Sequence, residues 1–279
     1  MVFEEFDPRT RVIFTAENFG RSRKANQAVI RAHRDGVLTC ASLGVRNPFL
    51  DEAVALAREN PGLEIGLQLV LVEGKSVLKP SEIIGVVDER FEFAERYWSA
   101  VLRYALNPRL RHALQAEVDA QFRLFRRTGL PLGFVSGRRG LHLHPTIFSF
   151  LRRYYQSWKV TAIQATRDPV MTHLRVEPGR TWSRVPRGVV GRSFDRWARP
   201  SLERRGLKTT DYVLGYLAED RIDEDYLFRM LDQLPPGTYE VRCQPDEEAH
   251  ADELELLVSP TLKAGLQQRG IEVIRHADL

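Results

Sequence analysis

Few side chains in this 279-residue sequence stand in patterns that chemistry demands. His142 and His144 alternate in Leu141-His-Leu-His-Pro145. On an extended segment both face one side, away from Leu141 and Leu143. That spacing suits metal ligation, but no nearby Asp, Glu or Cys completes a ligand set, which favours support of a strand end. Cys40 and Cys243 show no CxxC or CxxH spacing. This excludes a disulfide scaffold and a cysteine zinc site and suits a reduced, cytoplasmic chain. Ser42 and Ser136 lie in no GxSxG, and the sequence has neither a P-loop nor a GxGxxG, so triad, nucleotide and dinucleotide chemistry have no support. Glu92, Glu117 and Asp119 read as solvated charges on a long helical region.

The elements that must position such groups alternate. Arg11–Thr15 is β-rich and is followed by a helix from Ser22 to Arg34, with Ala25, Ala28, Val29 and Ala32 on one face and Gly36 as its stop. A strand over Val37–Leu43, a helix over Pro48–Arg58 capped by Asn47, and a strand over Glu64–Leu71 follow. This order predicts a parallel sheet with functional residues on the loops after the strands' C-terminal ends. Residues 72–90 read as loop, and 91–127 as a helical insertion interrupted at Asn107-Pro108. A strand over 133–136, a helix over Pro145–Trp158 and a strand over Val160–Ala165 come next. Residues 166–190 read mostly as loop, then 191–205 as helix, 211–215 as strand, 223–234 as helix, 238–243 as strand, 259–268 as helix and 271–274 as strand. The fold class expected is α/β: a distorted (β/α) barrel, one domain over 1–279.

The strand-end motifs resemble a known family. Thr15-Ala-Glu-Asn-Phe-Gly20, Ile30-Arg-Ala-His-Arg-Asp-Gly-Val37 and Leu38-Thr-Cys-Ala-Ser-Leu43 are similar to the opening of the YdjC-like (ChbG/HpnK) deacetylases. Ala53-Val-Ala-Leu-Ala-Arg-Glu-Asn-Pro-Gly62, Gly66-Leu-Gln-Leu69, Leu71-Val-Glu-Gly74, Thr128-Gly-Leu-Pro-Leu132 and Glu253-Leu-Glu-Leu-Leu-Val-Ser-Pro260 resemble the branch associated with hopanoid biosynthesis. The resemblance implies a distorted (β/α) barrel, often dimeric, and removal of an acetyl group from an N-acetylated sugar with Zn or Mg. It also implies specific departures. Where the family places two Asp, this chain has Glu17 and Asn18; its strand-3 His is Gln68. Its alternating His begin here as Arg138 and Gly140, leaving His142 and His144. Its His-Pro-Gly is Gln244-Pro-Asp246, its Asp-His is Asp211-Tyr212, and its strand-5 Arg is Gln164. Amide oxygens bind hard divalent ions weakly without carboxylates beside them, so the family's metal is expected to be absent.

The resemblance then assigns Glu17 and His142 as catalytic candidates, and Asn18, Gln68, Arg138, Arg167, Tyr212 and Gln244 as substrate-binding ones. Amides facing one pocket are good sugar-binding groups. The leading expectation is a sugar- or glycolipid-binding homologue that has lost metal-dependent hydrolysis. The alternatives are a metal-independent amidohydrolase using Glu17, and a regulatory subunit of an active paralogue; a homodimer is a further expected partner.

Composition limits the remaining classes. The formal charge is +4, and 35 of the 41 Lys+Arg are arginine. Nine of these fall between Arg175 and Arg205 against Glu177, Asp195 and Glu203, a local +6, with Trp182 and Trp197 among them. Such a segment binds an anionic surface peripherally or forms a solvated or dimer-facing helix; the second is favoured, and no nucleic-acid motif accompanies it. The opening MVFEEFDPRTRVIF lacks a basic-then-apolar signal, and no apolar run approaches ~18 residues, so neither standard secretion nor membrane spanning is expected.

Overall fold

In the computed structural model, which describes residues 10–176, 185–216 and 222–279, the strands close on themselves. β1 (Arg11–Phe19) runs parallel to β2 (Cys40–Leu43), which pairs with β3 (Glu64–Leu69), which pairs with β4 (Val135–Gly137). On its other side β1 pairs with β6 (Thr238–Cys243), itself paired with β5 (Tyr212–Leu214), and β7 (Glu272–Val273) joins the start of β1. Between β4 and β5 the expected strand over 160–165 is reduced to isolated bridges. Gln164 N donates to Val135 O at 2.9 Å, Ile163 N to Lys208 O at 2.9 Å, and Val213 N to Arg167 O at 3.0 Å. Its neighbours are only three residues long, too short to carry a continuous ladder. The ring is thus a distorted (β/α) barrel, as the alternation predicts.

The helices form the outer layer. α1 (Arg23–Asp35) is capped by the Ser22 hydroxyl, which accepts from Ala25 N at 3.0 Å, and it buries the predicted alanine–valine face. α2 (Leu50–Glu59) starts later than expected, because Asn47 does not cap it: its amide donates to Phe19 O at 2.9 Å. The insertion resolves into α3 (Tyr97–Leu106) and α4 (Arg111–Arg127), parted at Asn107-Pro108 by a short 3₁₀ turn. Glu117 on α4 is buried, contrary to its reading as a solvated charge. Its carboxylate accepts from Val77 N at 2.9 Å and Leu78 N at 3.0 Å and so ties down the loop after β3.

α5 (Pro145–Trp158) has the predicted bounds. Within the stretch read as loop the chain forms α6 (Val170–Val176), because Pro169 opens a helix there instead of breaking one: its carbonyl accepts from His173 N at 3.0 Å. α7 (Val185–Glu203) likewise begins before residue 191, with Pro186 in the first turn, where a missing N–H is tolerated. α8 (Glu224–Gln233) is capped by Asp223. α9 (Ala251–Val258), not anticipated, is separated from α10 (Pro260–Gln268) only by Ser259. No helix among the described residues is long and apolar enough to cross a membrane.

Period-2 alternation sorts each strand. Val12, Phe14, Ala16, Ala41, Leu43, Ile65, Leu67 and Val241 join the main core under the helices, whereas Ile13, Cys40, Phe134, Ala162 and Ile274 form a separate small core inside the barrel. Above that plug the interior is polar. Ser42 and Ser136 hydroxyls pair at 2.8 Å, and Glu240 accepts from Thr15 Oγ1 at 2.6 Å and Gln164 Nε2 at 2.8 Å. Gly66 leaves room for Phe134: a Cβ there would lie 2.6 Å from its ring. Gly66→Ala is therefore expected to destabilise the fold by about 1–3 kcal/mol through overpacking, measured by urea unfolding.

Candidate functional site

At the C-terminal mouth of the barrel lies a cavity of about 380 Å³, within the usual range for small-molecule sites. Of the residues expected from the sequence, Glu17, Gln68, Arg138 and Gln244 line it. β1 delivers Glu17 through a register irregularity between Ala16 and Phe19, a device that re-aims side chains. Gln68 at the end of β3 donates from Nε2 to the Glu17 carbonyl at 3.1 Å, leaving its Oε1 buried without a partner.

The dominant contact was not anticipated. Arg242, near the end of β6, grips the Glu17 carboxylate through Nε and Nη2, the two side chains being only 11% and 5% exposed. Its guanidinium carbon also sits 3.7 Å from the centroid of Tyr216. Burial would pull the Arg242 guanidinium down, but Glu17 beside it outweighs that and holds it above its ordinary value. The signal for Arg242 was present in Thr238-Tyr-Glu-Val-Arg-Cys243: alternating Thr238, Glu240 and Arg242 mark an inward polar face on a buried strand.

A second ion pair builds the opposite wall. Arg139 Nε lies 3.0 Å from Glu73 Oε2, and Arg138 donates to the Glu73 carbonyl. Glu73 and Arg139 both hold left-handed backbone, at φ 52° and 56°, so two of the four non-glycine residues of this kind among those described meet in this one wall. Such strain concentrates at ligand sites. Burial, and then the neighbouring Arg21, pull the Arg138 guanidinium below its ordinary value. His250 and Glu253 complete the rim; Glu253 accepts from the Gln244 N–H.

The remaining expected residues do not join them. His142 lies in a 3₁₀ turn rather than an extended segment and is fully buried, its Nε2 2.8 Å from the Gln164 carbonyl. It does not line the cavity that holds Glu17. His144 instead caps α5, accepting from Thr146 N at 3.3 Å. Asn18 is not a lining residue either: its Nδ2 donates to Pro245 O at 2.9 Å, and its Oδ1 is buried without a partner. Arg167 and Tyr212 pair with each other, guanidinium over ring at 4.5 Å. Arg167 lines a different cavity with Arg192, Arg196 and Arg199, and Tyr212 stacks on Tyr239, so neither reaches Glu17. In the Arg-rich segment, Arg180, Trp182 and Arg184 lie outside the described residues; Arg199 pairs with buried Asp195 at 3.1 Å, and Trp197 packs edge-on to Phe148.

The donors at the mouth do not fit the family's divalent metal. Glu17, the carboxylate that the resemblance sets in the place of the base, has both its oxygens engaged by Arg242. Gln68 turns its NH₂, not its oxygen, toward the Glu17 backbone, and Asn18 is tied to Pro245. A guanidinium thus supplies the positive charge beside the acid.

Two outcomes follow. Arg242→Met should cost about 3–5 kcal/mol in urea unfolding by stranding a buried carboxylate, and adding Glu17→Gln should recover part of the loss. Burial lowers His142 and His144 from the ordinary 6.5 to about 4, against the opposing effect of the hydrogen bonds their rings donate to Gln164 O and Val101 O. The unfolded chain therefore takes up protons before the folded one. Stability is complete above about pH 6.5 and falls toward pH 4, by about 3 kcal/mol from His142 alone. Urea unfolding across that window should show the slope, and His144→Asn, which keeps a capping acceptor, should reduce it.

Comparison with known proteins places this geometry. Over 279 residues the chain is 25% identical to a carbohydrate deacetylase of Geobacillus stearothermophilus, covering 95% of this chain and 96% of that one. Over 150 residues it is 29% identical to a carbohydrate deacetylase of Brevibacillus brevis, covering 54% and 57%. A candidate cellobiose-phosphate cleavage protein of Enterococcus faecalis V583 superposes with a TM-score of 0.75 at 19% identity, covering 97% of this chain and 98% of that one. That likeness is one of fold. A family profile described as YdjC-like protein matches residues 11–268, and the chain belongs to that family.

Proposed function

We propose that this protein binds a glycan or glycolipid-type ligand in the Glu17–Gln68–Arg138–Gln244 cavity and does not carry out metal-dependent deacetylation. Full-length similarity to a carbohydrate deacetylase supports a sugar-sized ligand. The observation that carries the loss of hydrolysis is the buried Glu17–Arg242 pair. A bidentate guanidinium occupies one lone pair on each carboxylate oxygen and sets a fixed positive charge against it that repels a divalent cation, and a general base must be free to take a proton. What remains suits recognition: the unpartnered Gln68 oxygen accepts a hydroxyl or amide N–H, while Arg138 and Arg21 donate. The hopanoid-associated motifs make a glycolipid the preferred ligand type within this reading.

Purified protein mixed with N-acetylglucosamine oligosaccharides and Zn²⁺ or Mg²⁺ should release no acetate. The same sugars should give saturation-transfer NMR signals, and Gln68→Leu should weaken binding by about tenfold through loss of one acceptor. Stoichiometric, metal-dependent acetate release overturns the proposal. Chelator-resistant release abolished by Glu17→Gln would establish the metal-independent amidohydrolase instead.

A further inference from the structure

At the opposite, N-terminal end of the barrel, three residues far apart in sequence converge. Cys40 opens β2, Glu64 opens β3, and His276 lies in the final turn of the chain. Their sulfur, carboxylate oxygen and ring nitrogen lie within 4.8 Å of one another, the one such cluster among the described residues. We propose that Cys40 Sγ, Glu64 Oε2 and His276 Nδ1 form a binding site for a divalent ion of the zinc class, with water as the fourth ligand.

Two of the three ligand–ligand distances, those from the sulfur, already match the ion. A tetrahedral zinc with bonds of about 2.3 Å to sulfur and about 2.0 Å to nitrogen and oxygen sets sulfur–nitrogen and sulfur–oxygen edges of about 3.5 Å. Here Cys40 Sγ lies 3.5 Å from His276 Nδ1 and 3.4 Å from Glu64 Oε2. The surroundings are equally specific. His276 Nε2 is 3.3 Å from Glu240 Oε2, the carboxylate-backed imidazole that orients metal-bound histidines. The imidazole also stacks on Phe134 at 4.1 Å and 17°, which fixes the plane of the ring. Glu64 Oε2 is held by Ala277 N at 3.3 Å. Cys40 and His276 are fully buried whereas Glu64 is half-buried, so an ion and its water enter along the Glu64 side.

In the metal-free chain burial, and then Glu64 and Glu240, push the Cys40 thiol up, so it carries its proton. Binding replaces that proton with the ion and releases it to solvent, forming a metal–thiolate bond. Thiolate, imidazole and carboxylate together favour zinc over magnesium or calcium. This site is separate from the Glu17 cavity and does not depend on what that cavity binds.

Cobalt(II) titration of chelator-treated protein tests it, because a thiolate ligand produces a near-ultraviolet charge-transfer band. One equivalent of cobalt should give that band, zinc should abolish it by displacement, and zinc should raise the melting temperature. Cys243→Ser should retain the band and Cys40→Ser should lose it. Glu64→Gln, which keeps side-chain size and the acceptor for Ala277 N, should weaken cobalt binding by at least about tenfold and remove the zinc-dependent melting shift. Should Cys40→Ser not fold, the band in wild type and its loss of affinity in Glu64→Gln decide the matter. No stoichiometric binding, a cobalt complex without the thiolate band, or affinity unchanged in Glu64→Gln each overturn the site.

Discussion

A carboxylate in the middle of a barrel is costly unless every lone pair is answered, and the fold is organised around answering those of Glu240. This residue is fully buried on β6. Thr15 from β1, Gln164 from the bridging segment and His276 from the C-terminal turn all reach it. Burial pushes its carboxyl up, but His276, Thr15 and Gln164 together hold it below its ordinary value. One side chain thereby ties the first strand, the weakest part of the ring and the end of the chain to one point. It also stands between two layers of chemistry, with the Glu17–Arg242 pair above it and Cys40, Glu64 and His276 below.

The mouth repeats the same rule with a different outcome. Burying Glu17 demands a counter-charge, and Arg242, two residues beyond Glu240 on the same inward face of β6, supplies it. Tyr216 covers the guanidinium, and the left-handed Glu73–Arg139 pair closes the facing wall. The cavity is thus shaped by protein–protein charge pairs, and its unspent polar capacity, Gln68 Oε1 above all, is suited to hydroxyls and amides rather than to an ion.

Much of the outer layer was legible in the sequence, because helix faces and strand alternation are local properties. The alanine–valine face of α1, the break at Asn107-Pro108 and the bounds of α5 could all be read directly. Prolines misled where the turn they occupy is decided by packing: Pro169 and Pro186 sit at helix beginnings, not in loops. Glu117 misled for a related reason. On a helix with charges on several faces, which charge is buried depends on the loop that crosses it, here Val77 and Leu78.

The sequence by itself determined the family, the parallel alternation and four of the lining residues, Glu17, Gln68, Arg138 and Gln244, because strand-end motifs carry their position in the chain order. Only the tertiary structure decided which polar groups meet. Arg242 lies 225 residues from Glu17, and His276 lies 236 from Cys40. His142 and His144, adjacent in motif, were turned away into the core and a helix cap by a tight turn. Short spacing between cysteines is one way to build a thiolate site, and its absence excluded one along the chain. A closed barrel offers another, because it holds the first residues of neighbouring strands about 4.8 Å apart whatever their separation in sequence.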